Sequence, residues 1–204
     1  NILAFSDKLV DLTEAMSPYM ADLVQARLEI YAKDGKYYGA PLHVGAMVCF
    51  YDKALLESAG IPCTHYEIDL PKGEVPDGVT AARLLGKDPD QVFKTLVAEG
   101  PKGEHFVFVI PVAATLDLKK AARAAGVKSI AMLPQKKLLP LTGYVHGGCS
   151  PVGMSKAFPT YFAEEVILVD TMVCSAGKVG HQVEVKPDDL IDLVGGITAD
   201  LVVE

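Results

Sequence analysis

A lysine at the junction of two predicted elements is the first residue whose position suggests chemistry. Lys94 lies in the stretch QVFKTLV, between Phe93 and Thr95, where a predicted helix meets an apolar strand. An ammonium group at the end of a strand can bind a phosphate or carbonyl oxygen in a cleft. A lysine at a helix end can equally lay its aliphatic stem along the surface and keep its charge in solvent. Both interpretations are open from this residue alone.

The loop GYVHGGCSPVG, residues 143–153, is the second candidate for chemistry. Glycine tolerates left-handed backbone, so the consecutive amides of Gly147, Gly148 and Cys149 are predicted to form a nest for an oxyanion or a phosphate. Cys149 and Ser150 are of nucleophilic types, but no histidine is tied to them by a recognised spacing. We therefore do not predict covalent catalysis. An elaborate turn is the alternative interpretation of the loop.

A second glycine loop, CSAGKVGHQ, lies near the end of the chain and contains Ser175 and Lys178. A plain hairpin turn explains this loop as well as a binding role does. Tyr66 lies on an earlier predicted strand, where a tyrosine is more often a packed aromatic than a ligand contact.

Cofactor and metal sites are not indicated. No GxGxxG or GxxxxGK[ST] stretch follows a predicted strand, so we expect no nucleotide cofactor. The five histidines are scattered without HxH or HExxH spacing, and we expect no metal.

Charge and composition exclude several function classes. The chain of 204 residues carries a net charge of -7, which argues against wrapping DNA or another long duplex. Residues 87–137 are the exception, with nine Lys or Arg against five Asp or Glu; they are either a solvated helix face or a local phosphate contact. No apolar run reaches the roughly 20 residues that a bilayer requires, so no membrane partner is expected. The four cysteines lack CxxC spacing and indicate reduced thiols in the cytoplasm.

The elements that must position these residues alternate at short intervals, which predicts a mixed α/β fold with about seven short strands. A hairpin is predicted at Asp34-Gly35, after helical pieces broken at Pro18 and before an apolar strand at 43–51. Predicted helices are at 51–62, 80–86 with Thr80 as the cap, 88–96 with Asp88 as the cap, 116–126, 134–143 and 187–196. Predicted strands are at 63–69, 96–111 as a strand pair, 128–133, 164–185 as two or three strands, and 199–204.

Taken together and in order, the motifs FKTL, LDLKKAA, TGY with GG and SP, and SAGK resemble the YbaK family. This family contains free-standing aminoacyl-tRNA deacylases related to the editing domain of prolyl-tRNA synthetases. The resemblance covers residues 55–204 and implies the fold of that editing domain, a mixed and partly barrel-like sheet with flanking helices.

The resemblance implies hydrolysis of the ester that joins a wrong amino acid to tRNA, most typically cysteine on the tRNA for proline. It implies that the substrate's own thiol attacks the ester, without a protein nucleophile. The 3′ acceptor end of aminoacylated tRNA is then the partner, with prolyl-tRNA synthetase as a further candidate. Lys94, Gly147 and Gly148 are the implied catalytic residues, and the implied substrate-binding residues are Tyr66, Phe93, Thr95, Cys149, Ser150, Ser175 and Gln182.

Two departures from the family pattern limit what the resemblance implies. Gln182 stands where some members have aspartate, and an amide cannot act as a base. A non-catalytic binding module for the tRNA acceptor end or a small ligand is therefore the alternative function. Residues 1–60 instead resemble a fragment of the sugar-binding proteins of ABC transporters. We accordingly predict an N-terminal extension at 1–54, without sugar-binding activity, and an editing domain at 55–204.

Overall fold

The structure is a computed structural model that describes residues 11–16, 32–34, 36–37, 55–71 and 73–203. The chain divides into two units, residues 1–45 and 46–204. The predicted domain boundary at 54/55, the helix break at Pro18 and the apolar strand at 43–51 involve positions outside the described residues.

In the N-terminal unit, the described residues form a short helix and a hairpin. Helix α1 is Thr13–Met16, and strands β1 (Ala32–Lys33) and β2 (Lys36–Tyr37) pair antiparallel. Asp34 has a φ of 54°, a left-handed conformation that the two-residue turn requires. The hairpin predicted at Asp34-Gly35 is confirmed.

The larger unit contains a five-stranded sheet in the order β10-β7-β5-β4-β6. Its strands are β4 (Phe93–Glu99), β5 (His105–Pro111), β6 (Ala131–Met132), β7 (Thr160–Ala163) and β10 (Ile197–Ala199). β4 and β5 form an antiparallel pair, while β7 lies parallel to both β5 and β10. This mixture of directions confirms the predicted mixed α/β class.

A second sheet has three antiparallel strands in the order β3-β9-β8. They are β3 (Cys63–Glu67), β8 (Met172–Ser175) and β9 (His181–Val185). One parallel bridge, between Val92 and Val173, links the two sheets. In the described part of the larger unit, the strands do not close into a barrel.

The described part of the larger unit also contains four helices of seven or eight residues, which pack against the sheets. They are α2 (Gly78–Leu85), α3 (Leu118–Ala124), α4 (Gln135–Thr142) and α5 (Pro187–Val194), and residues 55–58 are also helical. One apolar core lies between the sheets and contains Val97, Val109 and Val183. A second core, with Phe108 and Ala121, packs α3 against the other face of the five-stranded sheet. Side chains alternate between the two cores along β4, as the two-residue period of a strand requires.

The structure corrects the predicted helix at 88–96. Asp88 does cap a helical turn, but this turn is a 3₁₀ helix of only three residues, Pro89–Gln91, and β4 begins at Phe93. Phe93 and Val97 enter the same core and the whole stretch pairs with β5, so strand pairing overrides the local cap signal. Lys94 is therefore the second residue of a strand, and it does not lie at the end of a helix as predicted.

Other boundaries also differ from the sequence-based expectation. The cap of α2 is Asp77, which accepts a hydrogen bond from the Thr80 amide at 3.0 Å, so the predicted cap at Thr80 is wrong. Residues 164–168 form a 3₁₀ helix instead of a strand. Strand β10 covers Ile197–Ala199, so the strand predicted at 199–204 overlaps it only at Ala199.

Candidate active site

A cavity of about 380 Å³ lies where the two sheets, α2 and the glycine loop meet. Its walls come from the start of β4, the residues before α2, the loop after α4, and the ends of β8 and β9. Most of the predicted site residues line it, namely Phe93, Lys94, Thr95, Gly147, Cys149, Ser175 and Gln182. Residues from four separate parts of the sequence thus converge on one space.

Lys94 contributes a half-buried cation to the cavity wall. Its Nζ donates to the backbone carbonyls of Val112 at 3.0 Å and Ala114 at 2.8 Å. Burial lowers the pKa of this lysine. An ammonium group has three donors, so two carbonyls fix its position and one donor remains for a ligand.

Two hydroxyl groups on the cavity wall are buried without a hydrogen-bond partner among the described residues. They are Thr95 Oγ1 on β4 and Ser175 Oγ at the end of β8. Gln182 pairs with Ser175 in the register of the β8–β9 hairpin, and its side chain is buried on the same wall. A buried polar group without a partner costs about 1–3 kcal/mol, so the wall is suited to a ligand that supplies hydrogen bonds.

Gly147 allows the glycine loop to approach the residues before α2. Its φ is +80°, and a Cβ placed on it would lie 2.3 Å from Cγ1 of Val75. Both the conformation and the space therefore require glycine at this position.

Gly148 serves the packing of the two glycine loops and is not among the residues that line the cavity. A Cβ there would meet the backbone nitrogen of Val179 at 3.0 Å and the Cα of Lys178 at 3.2 Å. Its own amide donates to the carbonyl of Val145 at 3.1 Å, so this donor is already engaged within the turn.

Ser150 and Cys149, the two residues of nucleophilic type, differ in position. Ser150 is fully buried, does not line the cavity, and its Oγ accepts a hydrogen bond from the Val152 amide at 3.2 Å. Cys149 is buried on the cavity wall. Of the two, only Cys149 is placed to contact a bound ligand.

Tyr66 lies outside the cavity, in a polar cluster that we call the Glu184 cluster. The Glu184 carboxylate accepts hydrogen bonds from Tyr66 Oη at 2.5 Å, from Lys87 Nζ at 2.8 Å, and from Thr171 Oγ1 at 2.6 Å. Burial raises the pKa of the Glu184 carboxyl, but the bonds from Lys87, Thr171 and Tyr66 outweigh it and lower that pKa to about 2. The hydrogen bond to Glu184 in turn raises the pKa of Lys87.

Sequence reasoning missed several residues of both regions. His146, Asp77 and Gly78 line the cavity, and a Cβ on Gly78 would lie 2.5 Å from Cγ1 of Val112. Asp before a helix is a common cap, so the Asp77-Gly78 pair was the available signal for this part of the wall. Glu184 was also missed; its position two residues after Gln182 was the available signal, because such residues share one face of a strand.

The described residues contain neither a metal-binding cluster nor a membrane-spanning helix. None of them form a group of three or more His, Cys, Asp or Glu side chains suited to a metal ion. No helix in the described part of the chain has both the length and the apolar character needed to cross a bilayer.

Comparison with known proteins identifies the family. The sequence-family model of the aminoacyl-tRNA editing domain matches residues 73–193, which include most of the cavity lining. The chain belongs to the aminoacyl-tRNA editing domain family. The resemblance recognised in the sequence motifs is thereby confirmed.

Relatives in this editing family cover most of the larger unit. The chain is 41% identical over 147 residues to a protein of Enterococcus faecalis named as a Cys-tRNA(Pro)/Cys-tRNA(Cys) deacylase, EbsC, and the match covers 72% of this chain and 89% of EbsC. A crystal structure described as a trans-editing enzyme for prolyl-tRNA synthetase superposes with a TM-score of 0.66 at 27% identity, covering 77% of this chain and 98% of that one. A hypothetical protein at 22% identity shares the fold, with a TM-score of 0.67 and coverage of 74% and 98%.

A shorter match concerns a different class of protein. A stretch of 61 residues, 30% of the chain, is 41% identical to an arabinooligosaccharide-binding protein of Halalkalibacterium halodurans, of which it covers 14%. The corresponding protein of Bacillus subtilis matches at 42% identity over 62 residues and is also covered by 14%. About 30% of the chain is therefore similar to a small part of two sugar-binding proteins, the class of protein named in the second resemblance.

Proposed function

We propose that this chain is an aminoacyl-tRNA deacylase that edits mischarged tRNA in trans, with cysteine on the tRNA for proline as its preferred substrate. The observation that carries the proposal is the convergence of Lys94, Gly147 and two buried, unpartnered hydroxyls on one cavity. Family membership and the name of the relative EbsC support the same reaction class.

The cavity suits the 3′ end of an aminoacylated RNA. Its volume of about 380 Å³ lies in the range of small-molecule sites, so it takes the aminoacyl group and the adjoining ribose without enclosing the nucleic acid. The third donor of Lys94 binds a phosphate or ribose oxygen of the terminal nucleotide. Thr95 and Ser175 supply hydrogen bonds to the aminoacyl group, which satisfies both hydroxyls.

The proposed chemistry requires no protein nucleophile. The cysteine thiol of the substrate attacks its own ester carbonyl, forming a carbon–sulfur bond while the bond to the ribose oxygen breaks. The leaving 3′ oxygen takes the thiol proton and becomes the 3′ hydroxyl, and water then adds across the carbon–sulfur bond of the cyclic thioester to give free cysteine. Lys94 and the polar wall hold the ester in reach of the thiol, which is a positioning role.

A panel of esters on the tRNA for proline tests the function. We expect release of free amino acid from the cysteinyl ester, with slower or no release from the alanyl, seryl and prolyl esters. S-methylcysteinyl-tRNA is the control for mechanism, because it keeps the side chain but removes the attacking thiol. Equal cleavage of both cysteine esters would contradict the thiol mechanism, and binding of tRNA without release would favour the non-catalytic module instead.

We also propose that residues 55–204 carry this activity and that residues 1–54 are an added segment that does not bind sugar. All residues that line the cavity lie between positions 68 and 182. Isothermal titration of the full chain with arabino- and maltooligosaccharides tests the second part, and we expect no binding heat. Prolyl-tRNA synthetase is the proposed partner in the cell, and co-purification of the two proteins with the charged tRNA tests it.

A further inference from the structure

A second groove, of about 370 Å³, lies along α3 and the segment that follows it. Three exposed cations form its rim: Lys119, Arg123 and Lys128. Its floor is apolar, with the buried residues Ala122 and Ile130. None of the residues lining this groove, all of which lie within the described range 118–130, is acidic. We call it the basic groove.

The three cations of the basic groove differ from neighbouring lysines, which form ion pairs with carboxylates. Lys120 binds Asp200 at 2.8 Å and Lys137 binds Glu99 at 3.0 Å. Within the described part of the chain, Lys119, Arg123 and Lys128 have no ion-pair partner. The nearest carboxylate along the chain, on Asp117, caps α3 by accepting the amides of Lys119 and Lys120.

This concentration of positive charge contrasts with the rest of the protein. The chain has a net charge of -7, yet three cations surround this one groove. These cations repel one another unless an anion is bound between them. Arginine and lysine together are the usual ligands of phosphate oxygens, with arginine binding in a bidentate way. The charge and the length of the groove therefore fit a polyphosphate backbone better than a single small anion.

The basic groove begins only a few residues along the chain after the segment that binds Lys94. The carbonyl of Ala114, which holds Lys94 Nζ, precedes the cap of α3 by three residues. α3 has seven residues and spans roughly 10 Å, so Lys119 stands near its cavity end and Lys128 beyond its far end. An RNA strand that leaves the cavity along α3 would pass the three cations in turn.

We infer that the basic groove binds the phosphate backbone of the tRNA acceptor stem while the 3′ end occupies the cavity. This rests on the proposed function, since it assigns a surface to the body of the same substrate. The groove then contributes affinity for whole tRNA but takes no part in breaking the ester.

The test compares a triple variant, Lys119→Gln, Arg123→Gln and Lys128→Gln, with a control that removes the same charge elsewhere, Lys102→Gln, Lys156→Gln and Lys186→Gln. All six side chains are exposed, so both variants are expected to fold. The substrates are full-length cysteinyl-tRNA and a cysteinyl CCA trinucleotide. On whole tRNA the groove variant is expected to lose about tenfold or more in kcat/KM at roughly 0.1 M salt, and to depend less steeply on salt. On the trinucleotide it should match the wild type.

Equal losses on both substrates, or equal losses in the groove and control variants, would overturn the inference. Binding of uncharged tRNA, measured by filter retention at several salt concentrations, tests the groove independently of hydrolysis. If the wild type cleaves neither ester, the proposed function fails, while weaker tRNA binding by the groove variant alone still supports the groove. Loss of binding to an acidic peptide with unchanged tRNA binding would assign the surface to a protein partner instead.

Discussion

The cavity and the Glu184 cluster share one face of the three-stranded sheet, but they differ in whether their polar groups have hydrogen-bond partners. In the Glu184 cluster one carboxylate accepts bonds from Tyr66, Lys87 and Thr171. In the cavity, the hydroxyls of Thr95 and Ser175 have no partner among the described residues. A partly buried network whose groups are all hydrogen-bonded stabilises the fold. Buried groups without partners lower the stability, and a bound ligand that supplies hydrogen bonds offsets this loss.

A lysine in each region makes the contrast testable. Lys87 binds a carboxylate, which raises its pKa, whereas Lys94 binds only carbonyls and burial lowers its pKa. We therefore expect Lys87 to matter for stability and Lys94 for activity.

Replacing Lys94 by methionine is expected to reduce kcat/KM for cysteinyl-tRNA by about 100-fold or more, because the donor to the substrate is lost. The free energy of unfolding should change by about 1 kcal/mol or less, since methionine fills the space of the stem without a buried charge. Lys87→Met is the matched control, with lower stability and a near wild-type kcat/KM per folded molecule. Similar activity in the two variants would remove Lys94 from the reaction.

Glu184→Gln is expected to lower the free energy of unfolding by about 2 kcal/mol at neutral pH, because three donors lose a charged acceptor. Urea denaturation at pH 7 measures this change. Hydrolysis by the folded fraction should remain close to that of the wild type. A loss of activity that exceeds the loss of folded protein would place the Glu184 cluster within the catalytic machinery.

The same carboxylate predicts an acid-dependent loss of stability. The pKa of Glu184 is lowered from 4.5 to about 2 in the folded protein, so its contribution is fully present above about pH 4.5 and is lost as the pH falls toward 2. The difference in unfolding free energy between the wild type and Glu184→Gln should therefore shrink between pH 6 and pH 3. Denaturant titrations of both proteins across this range check the sign; a growing difference would contradict the assignment.

The smallest effects are expected when either of two threonines is replaced by valine, which has a methyl group in place of the hydroxyl. Thr171→Val removes a donor to Glu184 and should cost about 1 kcal/mol of stability. Thr95→Val removes an unpartnered hydroxyl, so stability should be unchanged or slightly higher, while kcat/KM falls by about three- to tenfold. Equal stability losses in both variants would show that Thr95 is hydrogen-bonded in the folded protein.

Local patterns predicted those parts of the fold in which sequence and tertiary pairing agree. The helix that ends before Gly126 and the hairpin of β8 and β9 follow directly from apolar spacing and glycine position. The stretch after Asp88 misled the prediction, because a genuine cap is followed by only one turn before strand pairing begins. Its outcome depends on contacts with β5, which the local sequence does not contain.

The residues of the candidate site were predictable where they lie within a sequence motif of the family. Lys94, Gly147 and Ser175 each belong to a motif of the family, and the structure brings them to one cavity. Tyr66 was expected there too, but its hydroxyl bonds to Glu184, a residue of β9 that is distant along the chain. Such a partner follows from strand register, which the sequence of either strand alone does not specify.

The close approach of Gly148 to the backbone of Lys178 and Val179 has a consequence for protein engineering. Gly148 has no room for a side chain at this contact, because its Cβ would meet the backbone of the other loop. A change of length or shape in one loop therefore requires a compensating change in the other. Directed-evolution libraries that aim at a new amino acid specificity should therefore diversify both loops in the same clone. Across natural homologues, the two segments should show correlated substitutions.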